Sequence, residues 1–210
     1  MSATSGNAAV VGAGIAGLSA AIALRRAGWR VTVFERSHFK NEVGAAITVP
    51  PNATRVLDHW GFDVAAAGAV PNQASVFSNA SDLKVFLYEE YPDIAEKMGH
   101  ISWSFHRVDL HRGLRKLAVM ETEEGEPVEI RLGCDVKSVD CDKGVLALAD
   151  GSTVENDLVI IADGAHVGIS LPSRHAVADF VEPVDSGLHW KTIRSLPYGK
   201  IYLPLARLDG

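Results

Sequence analysis

The sequence predicts an α/β fold with a parallel sheet, joined to a second, β-rich region. Three observations carry that expectation. A strand, a glycine-rich turn, a helix and a second strand follow one another over residues 8–34. A second wholly apolar run, Leu158-Val159-Ile160-Ile161-Ala162, ends in Asp163-Gly164. From Leu171 onward the chain alternates as strands do, over residues 176–181, 188–193 and 200–205. Strands buried on both faces read as unbroken apolar runs, whereas half-exposed strands alternate with a period of two.

The first strand is the run Ala8-Ala9-Val10-Val11, ending in glycine. Ile15, Leu18 and Ile22 then recur at helical spacing, and Gly28 stops that helix after Arg25-Arg26. Arg30-Val31-Thr32-Val33-Phe34 is β-branched and aromatic, a second strand. Strand, helix and strand in so short a span form a βαβ unit, which requires a right-handed crossover and a parallel sheet. Pro51-Asn52 opens a helix that runs through Leu57 and Trp60 to Gly61. Residues 75–77 and 83–88 read as short strands about a turn at 79–82. Residues 107–118 form an amphipathic helix with Leu110, Leu114, Leu117 and Ala118 on one face. The acidic stretch 121–127 is expected as a solvated loop. Val128, Ile130 and Leu132 alternate as a strand, and residues 145–154 read as a hairpin about Asp150-Gly151.

Composition narrows the class. Hydrophobic residues make up 47% and charged residues 22% of the 210, which excludes a disordered tail, a collagen-like fibre and a disulfide miniprotein. Twenty Lys and Arg stand against 26 Asp and Glu, a formal net charge of −6, opposite to the basic surplus of nucleic-acid binders. Cys134 and Cys141 have neither CxxC nor zinc-ligand spacing and read as buried, reduced thiols. The eight histidines form no HxxxH or HxH pair, so no protein-bound metal is expected. The apolar stretch over residues 8–24 lacks a basic leader and is broken by Gly12, Gly14 and Gly17, so it is not expected to act as a signal peptide. No run approaches the ~18 apolar residues of a membrane span. The expectation is a soluble, cytoplasmic chain.

The chemistry-bearing motif is Gly12-Ala13-Gly14-Ile15-Ala16-Gly17. In such a turn the first glycine permits the tight exit from the strand. The second lets a pyrophosphate approach the backbone, and the third lets helix and sheet pack closely. The helix N-terminus offers unpaired N–H groups and partial positive charge to phosphate oxygens. Glu35 closes the second strand, where a carboxylate accepts hydrogen bonds from an adenosine ribose and repels a 2′-phosphate. A glycine-rich turn with no ligand is the bland alternative. Between NAD and FAD the turn itself does not choose.

Further segments add to it: Glu42-Val43-Gly44-Ala45-Ala46-Ile47 ahead of Pro51-Asn52-Ala53, then His106-Arg107-Val108-Asp109-Leu110, then residues 157–164 ending in Asp163-Gly164. With Gly12, Gly14, Gly17 and Glu35-Arg36, this ordered set resembles the class A FAD-dependent monooxygenases. The nearest branch is that of the salicylate-hydroxylase-like enzymes, which in fungi often serve secondary metabolism. The resemblance runs from about Val10 to about Leu196. It implies a Rossmann-like FAD-binding domain of the para-hydroxybenzoate-hydroxylase-like fold, over residues 1–72 and 101–170. A partial, β-rich substrate domain would occupy residues 73–100 and 171–210.

The same resemblance implies roles. Gly12, Gly14 and Gly17 would lie under the FAD pyrophosphate, with Glu35 and Arg36 at the ribose side. Ala45 and Ala46 would line the flavin side, and Arg107 would reach the cofactor from the start of its helix. A surface arginine paired with Asp109 is the alternative for Arg107. Asp163 and Gly164 would form the second flavin fingerprint, and Arg194 would be catalytic, holding a phenolate or carboxylate of the substrate. His106 and His111 flank the helix start and are expected to be structural. The implied reaction uses NAD(P)H and O2 to place one oxygen atom on an electron-rich aromatic or polyketide-type small molecule. A third cofactor fingerprint would lie beyond Gly210, so a truncated, inactive relative keeping the ADP-binding half is the alternative. An NAD-dependent dehydrogenase is a third reading, without a Tyr-xxx-Lys pair to support it.

Overall fold

A computed structural model describes residues 6–39 and 44–164. They form twelve strands and four helices in chain order: β1 (Asn7–Val11), α1 (Ile15–Arg26), β2 (Arg30–Glu35), β3 (Ala46–Val49), α2 (Pro51–His59), β4 (Val70–Pro71), β5 (Ala74–Ser78), β6 (Val85–Glu90), α3 (Ile94–Met98), β7 (Trp103–His106), α4 (Arg107–Val119), β8 (Glu129–Leu132), β9 (Val136–Asp140), β10 (Val145–Leu148), β11 (Thr153–Glu155) and β12 (Leu158–Ile161). The chain divides into two compact units, one of residues 1–40 with 116–210, the other of residues 41–115.

The first unit is built on a four-stranded sheet in the order β12-β1-β2-β8, and every pairing in it is parallel. Apolar content explains the order. β1, interior in that order, is buried along nearly its whole length, and β12, at one end of it, is buried throughout. β2 alternates, with Val31, Val33 and Phe34 inside and Arg30 outside. α1 crosses from β1 to β2 and buries Leu18, Ala21 and Ile22. Its alanines and Gly17 keep the helix close to the strands. A second, antiparallel sheet, β11-β10-β9, packs Val136, Val139 and Leu146 with Val11, Phe34 and Val159.

The expected solvated loop over residues 121–127 is bound to the end of α1. Arg26 pairs with Glu124, Arg30 with Glu126, and Arg25 donates to the Thr122 hydroxyl. Arg25 is buried, and its guanidinium also donates to the carbonyls of Leu117 (3.2 Å) and Ala118 (3.0 Å). It thereby satisfies carbonyls that the last turn of α4 leaves without intrahelical partners. The sequence showed two basic residues ending one helix and an acidic run elsewhere, but not that the two meet.

The second unit holds a small antiparallel sheet, β3-β7-β4, and a separate hairpin, β5-β6. Phe62 meets Phe105 edge-on at 6.0 Å between ring centroids, and Leu57, Ala67 and Leu110 are buried in the same unit. β3, β4 and β7 were not among the predicted strands. Trp103-Ser104-Phe105-His106 is too short and too polar at alternate positions to stand out. Its pairing partner Ala46–Val49 overlaps a motif read for cofactor contacts at Ala45 and Ala46 rather than as a strand. The strands predicted over residues 176–181, 188–193 and 200–205 lie outside the described residues.

Candidate functional site

Each glycine of the turn after β1 has a distinct structural reason. Gly12 has φ +98°, a conformation that side chains disfavour, and a Cβ there would lie 2.8 Å from the carbonyl carbon of Ala162. A Cβ on Gly17 would overlap the carbonyl oxygen of Gly12 and approach Val10, so α1 seats directly on the turn. Gly14 is different: among the described residues, nothing lies within 4 Å of where its Cβ would be. Packing does not require glycine there. The open space beside Gly14 is a cradle that a side chain would fill.

The turn is anchored from both neighbouring strands. The Gly12 amide donates to the Phe34 carbonyl at 2.8 Å, and the Ala162 amide donates to the Val11 carbonyl at 2.8 Å. The structure therefore brings Gly12, Ala162 and Asp163 together at the carboxyl ends of β1 and β12. A Cβ on Gly12 would lie 3.1 Å from the Asp163 Cα. Gly164 follows with φ +88°. Ligands of parallel α/β sheets bind at this edge.

Glu35 lies at the same edge, at the end of β2. One carboxylate oxygen accepts from the Ala13 amide at 2.7 Å, and the other accepts from the Ser37 amide at 2.7 Å. Its carbonyl accepts from the Cys134 amide at 2.9 Å. A carboxylate offers about four lone-pair sites, so two bonds leave capacity for a ligand hydroxyl. Arg36 follows, exposed. Gly14 caps α1 without a side-chain hydrogen bond, and no acid occupies the first turn. An anion at that N-terminus would meet helical N–H groups and the positive end of the dipole without competition.

The second unit joins another subset of the expected residues. The Arg107 amide donates to the Ala45 carbonyl at 3.0 Å, and Ala46 pairs with His106 in the β3-β7 register. Ala45, Ala46 and Arg107 are all exposed. Asp109, considered as a partner for Arg107, holds Arg112 at 3.0 Å and stands 3.7 Å from the His106 Nδ1. His106 has a structural place: a Cβ on Gly44 would lie 2.7 Å from its Cε1. His111 is buried within α4. Arg194 lies outside the described residues, as do Glu42 and Val43.

Sequence reading missed Ala13 and Ser37, which act through backbone amides that any residue supplies. Only their places, inside a glycine turn and two residues past an acid, could have marked them. Both cysteines are free and half-buried rather than buried. Burial pushes the Cys141 thiol above its usual range, helped by Asp142 and Asp140. No helix among the described residues is long and apolar enough to cross a membrane.

Residues 6–191 match the pyridine nucleotide-disulphide oxidoreductase family. Among curated proteins, the chain is 39% identical over 156 residues to FAD-dependent monooxygenase cfoG of Aspergillus candidus, covering 74% of this chain and 36% of that protein. It is 37% identical over 156 residues to hispidin-3-hydroxylase of Neonothopanus nambi, with the same coverage. Its fold resembles 2-methyl-3-hydroxypyridine-5-carboxylic acid oxygenase, with TM-score 0.63, 29% identity, and coverage of 79% of this chain and 41% of that one. The chain thus spans well under half the length of these relatives.

Proposed function

The chain belongs to the pyridine nucleotide-disulphide oxidoreductase family, among relatives that are FAD-dependent monooxygenases, and on that premise we propose that it is the cofactor-binding part of such an enzyme. The observation that carries the proposal is the cluster at the carboxyl edge of the parallel sheet. Gly12, Gly14 and Gly17 shape a backbone cradle, Glu35 supplies a fixed carboxylate, and Ala162-Asp163 lies against Gly12. These residues fit a dinucleotide: open space where phosphate must approach, an uncapped helix N-terminus facing it, and an acceptor for ribose.

In this reading Gly12, Gly14 and Gly17 hold the FAD pyrophosphate, and Glu35 and Arg36 hold the adenosine ribose. Asp163 and Gly164 are proposed as cofactor contacts after β12, and Ala45, Ala46 and Arg107 are separately proposed as cofactor-binding residues. Arg107 presents a fork of donors suited to phosphate or ribose oxygens. When bound, FAD supplies the redox and oxygen-transfer chemistry, with NAD(P)H as reductant and O2 as co-substrate. The protein's work is to bind, to orient and to exclude water. Arg194 is proposed as the catalytic residue, orienting an anionic oxygen of the substrate.

The substrate class is proposed as an electron-rich aromatic or polyketide-type small molecule, supported by the activities named for the relatives. The cofactor domain is proposed to comprise residues 1–72 and 101–170, and the substrate domain residues 73–100 and 171–210. The pairing of β5 and β6 with each other alone among the described strands supports setting that hairpin apart. A cytoplasmic location belongs to the same proposal and is supported by the two unpaired cysteines. Those thiols also argue against dithiol chemistry, since they lack CxxC spacing and Cys141 is shifted away from the reactive thiolate.

The test is direct. The purified 210-residue chain, titrated with FAD, is expected to quench flavin fluorescence saturably and to retain a yellow chromophore on gel filtration. A colourless protein that leaves flavin fluorescence unchanged would overturn the proposal.

A further inference from the structure

Among the described residues, the Glu35 carboxylate has two partners, and both are backbone amides. Ser37 fixes one oxygen at 2.7 Å, and the other oxygen takes the Ala13 N–H at 2.7 Å. Ala13 is buried and stands between Gly12 and Gly14. Gly12, for its part, donates to Phe34, the residue before Glu35. The end of β2 thus grips two successive amides of the turn, one through a carbonyl and one through a carboxylate. Hydrogen bonds to an ionised acceptor are stronger than neutral ones, so the second grip is not a minor one.

We propose that Glu35 is a positioning residue for the glycine turn as well as a ribose ligand, holding the Gly12-Ala13-Gly14 backbone in its phosphate-accepting form before a nucleotide arrives. This rests on the nucleotide-binding reading above. Preorganisation is the physical content of the idea. Gly12 and Gly14 are residues with wide backbone freedom, and a turn left loose must be ordered when a ligand binds, at the expense of affinity. With the Ala13 N–H directed to Glu35, that amide is not a phosphate donor. The phosphates are left to the amides that open α1.

A ligand without ribose hydroxyls separates the two roles. Binding of ADP and of 2′,3′-dideoxy-ADP to the 210-residue chain would be measured by calorimetry for the parent, Glu35→Ala and Glu35→Gln. If the carboxylate acts through the ribose alone, substitution costs nothing for the dideoxy ligand. If it also sets the turn, Glu35→Ala weakens dideoxy-ADP by roughly tenfold, the scale of one charge-assisted hydrogen bond. Glu35→Gln keeps one acceptor oxygen for two amides and is expected to fall between parent and alanine. Should Glu35→Ala fail to fold, the glutamine variant carries the same comparison. Equal dissociation constants for dideoxy-ADP in the parent and a folded variant would overturn the positioning role and leave the nucleotide site intact. A parent that binds neither ligand would overturn the nucleotide reading, and this inference with it.

Discussion

At the scale of single residues, the three glycines of the turn look alike in sequence and differ in structure. Gly17 is demanded by packing, because a methyl group there would meet the Gly12 carbonyl oxygen, a backbone atom that cannot swing away. Gly14 is demanded by nothing in the protein itself. The two substitutions should therefore fail in different ways. Gly17→Ala is expected to destabilise the fold by about 3 kcal/mol, at the upper end of overpacking costs, seen as a lower denaturation midpoint. Gly14→Val is expected to fold with a midpoint close to the parent's and to lose nucleotide binding, because its side chain takes the space of the phosphate. Normal flavin binding by Gly14→Val would show that the cradle lies elsewhere. The spacing of the motif revealed that all three positions matter. It could not reveal which one is reserved for a ligand, because that depends on Ala162 and Val10 lying close to two of them and nothing lying close to the third. Glu35 was legible as an acid at the end of a strand, whereas its bond to Ala13 was not, since backbone amides leave no mark in a sequence.

At the scale of elements, β1 and β12 were legible as unbroken apolar runs, β2 by its β-branched and aromatic content, and α1 and α4 by their helical spacing. β3 and β7 were not, because they are short, half-polar and stable only as partners. The contact between the end of α1 and residues 121–126 belongs to this scale too. It joins charges about a hundred positions apart in sequence, and only the fold makes them neighbours. Within it Arg25 and the surface pairs differ in weight. Arg30 and Glu126 are both more than half exposed, and pairs of that kind contribute little. Arg25 is 3% exposed and bonds two carbonyls at the end of α4. Replacing it takes the charged donor from the Leu117 carbonyl, leaves the Ala118 carbonyl with the Val128 amide alone, and opens space beneath the loop. Arg25→Ala is expected to cost about 2 kcal/mol by urea denaturation, the scale of hydrogen bonds made by a charged donor. Arg30→Ala should change stability by less than ~0.5 kcal/mol. Equal effects from the two would mean that the helix cap carries no special weight.

At the scale of the molecule, the two units differ in how they treat apolar side chains. The first hides them: Ala9, Val10, Val33, Phe34 and Leu146 are essentially inaccessible. The second carries a hairpin whose apolar residues stay in contact with water. Phe86 is 72% exposed, Val76, Val85 and Tyr88 are each 58% exposed, and Leu87 is 47% exposed. Val76 lies opposite Tyr88 and Phe77 opposite Leu87, so successive pairs expose both faces of the hairpin. Sequence alone could place these strands, since their β-branched and aromatic content is plain, but it gave no sign that both faces stay exposed among the described residues. Exposed apolar strands of this size favour association between copies of a chain. Phe86 and Leu87 are adjacent in β6 and so face opposite sides. Changing both to lysine removes one exposed apolar group from each face and adds charge to an edge that would otherwise pair. Because neither side chain is buried, stability should move by less than ~0.5 kcal/mol. Light scattering measured against protein concentration should fall relative to the parent, while nucleotide affinity stays the same. Scattering that rises with concentration as steeply in the double variant as in the parent would show that association, if present, uses another surface.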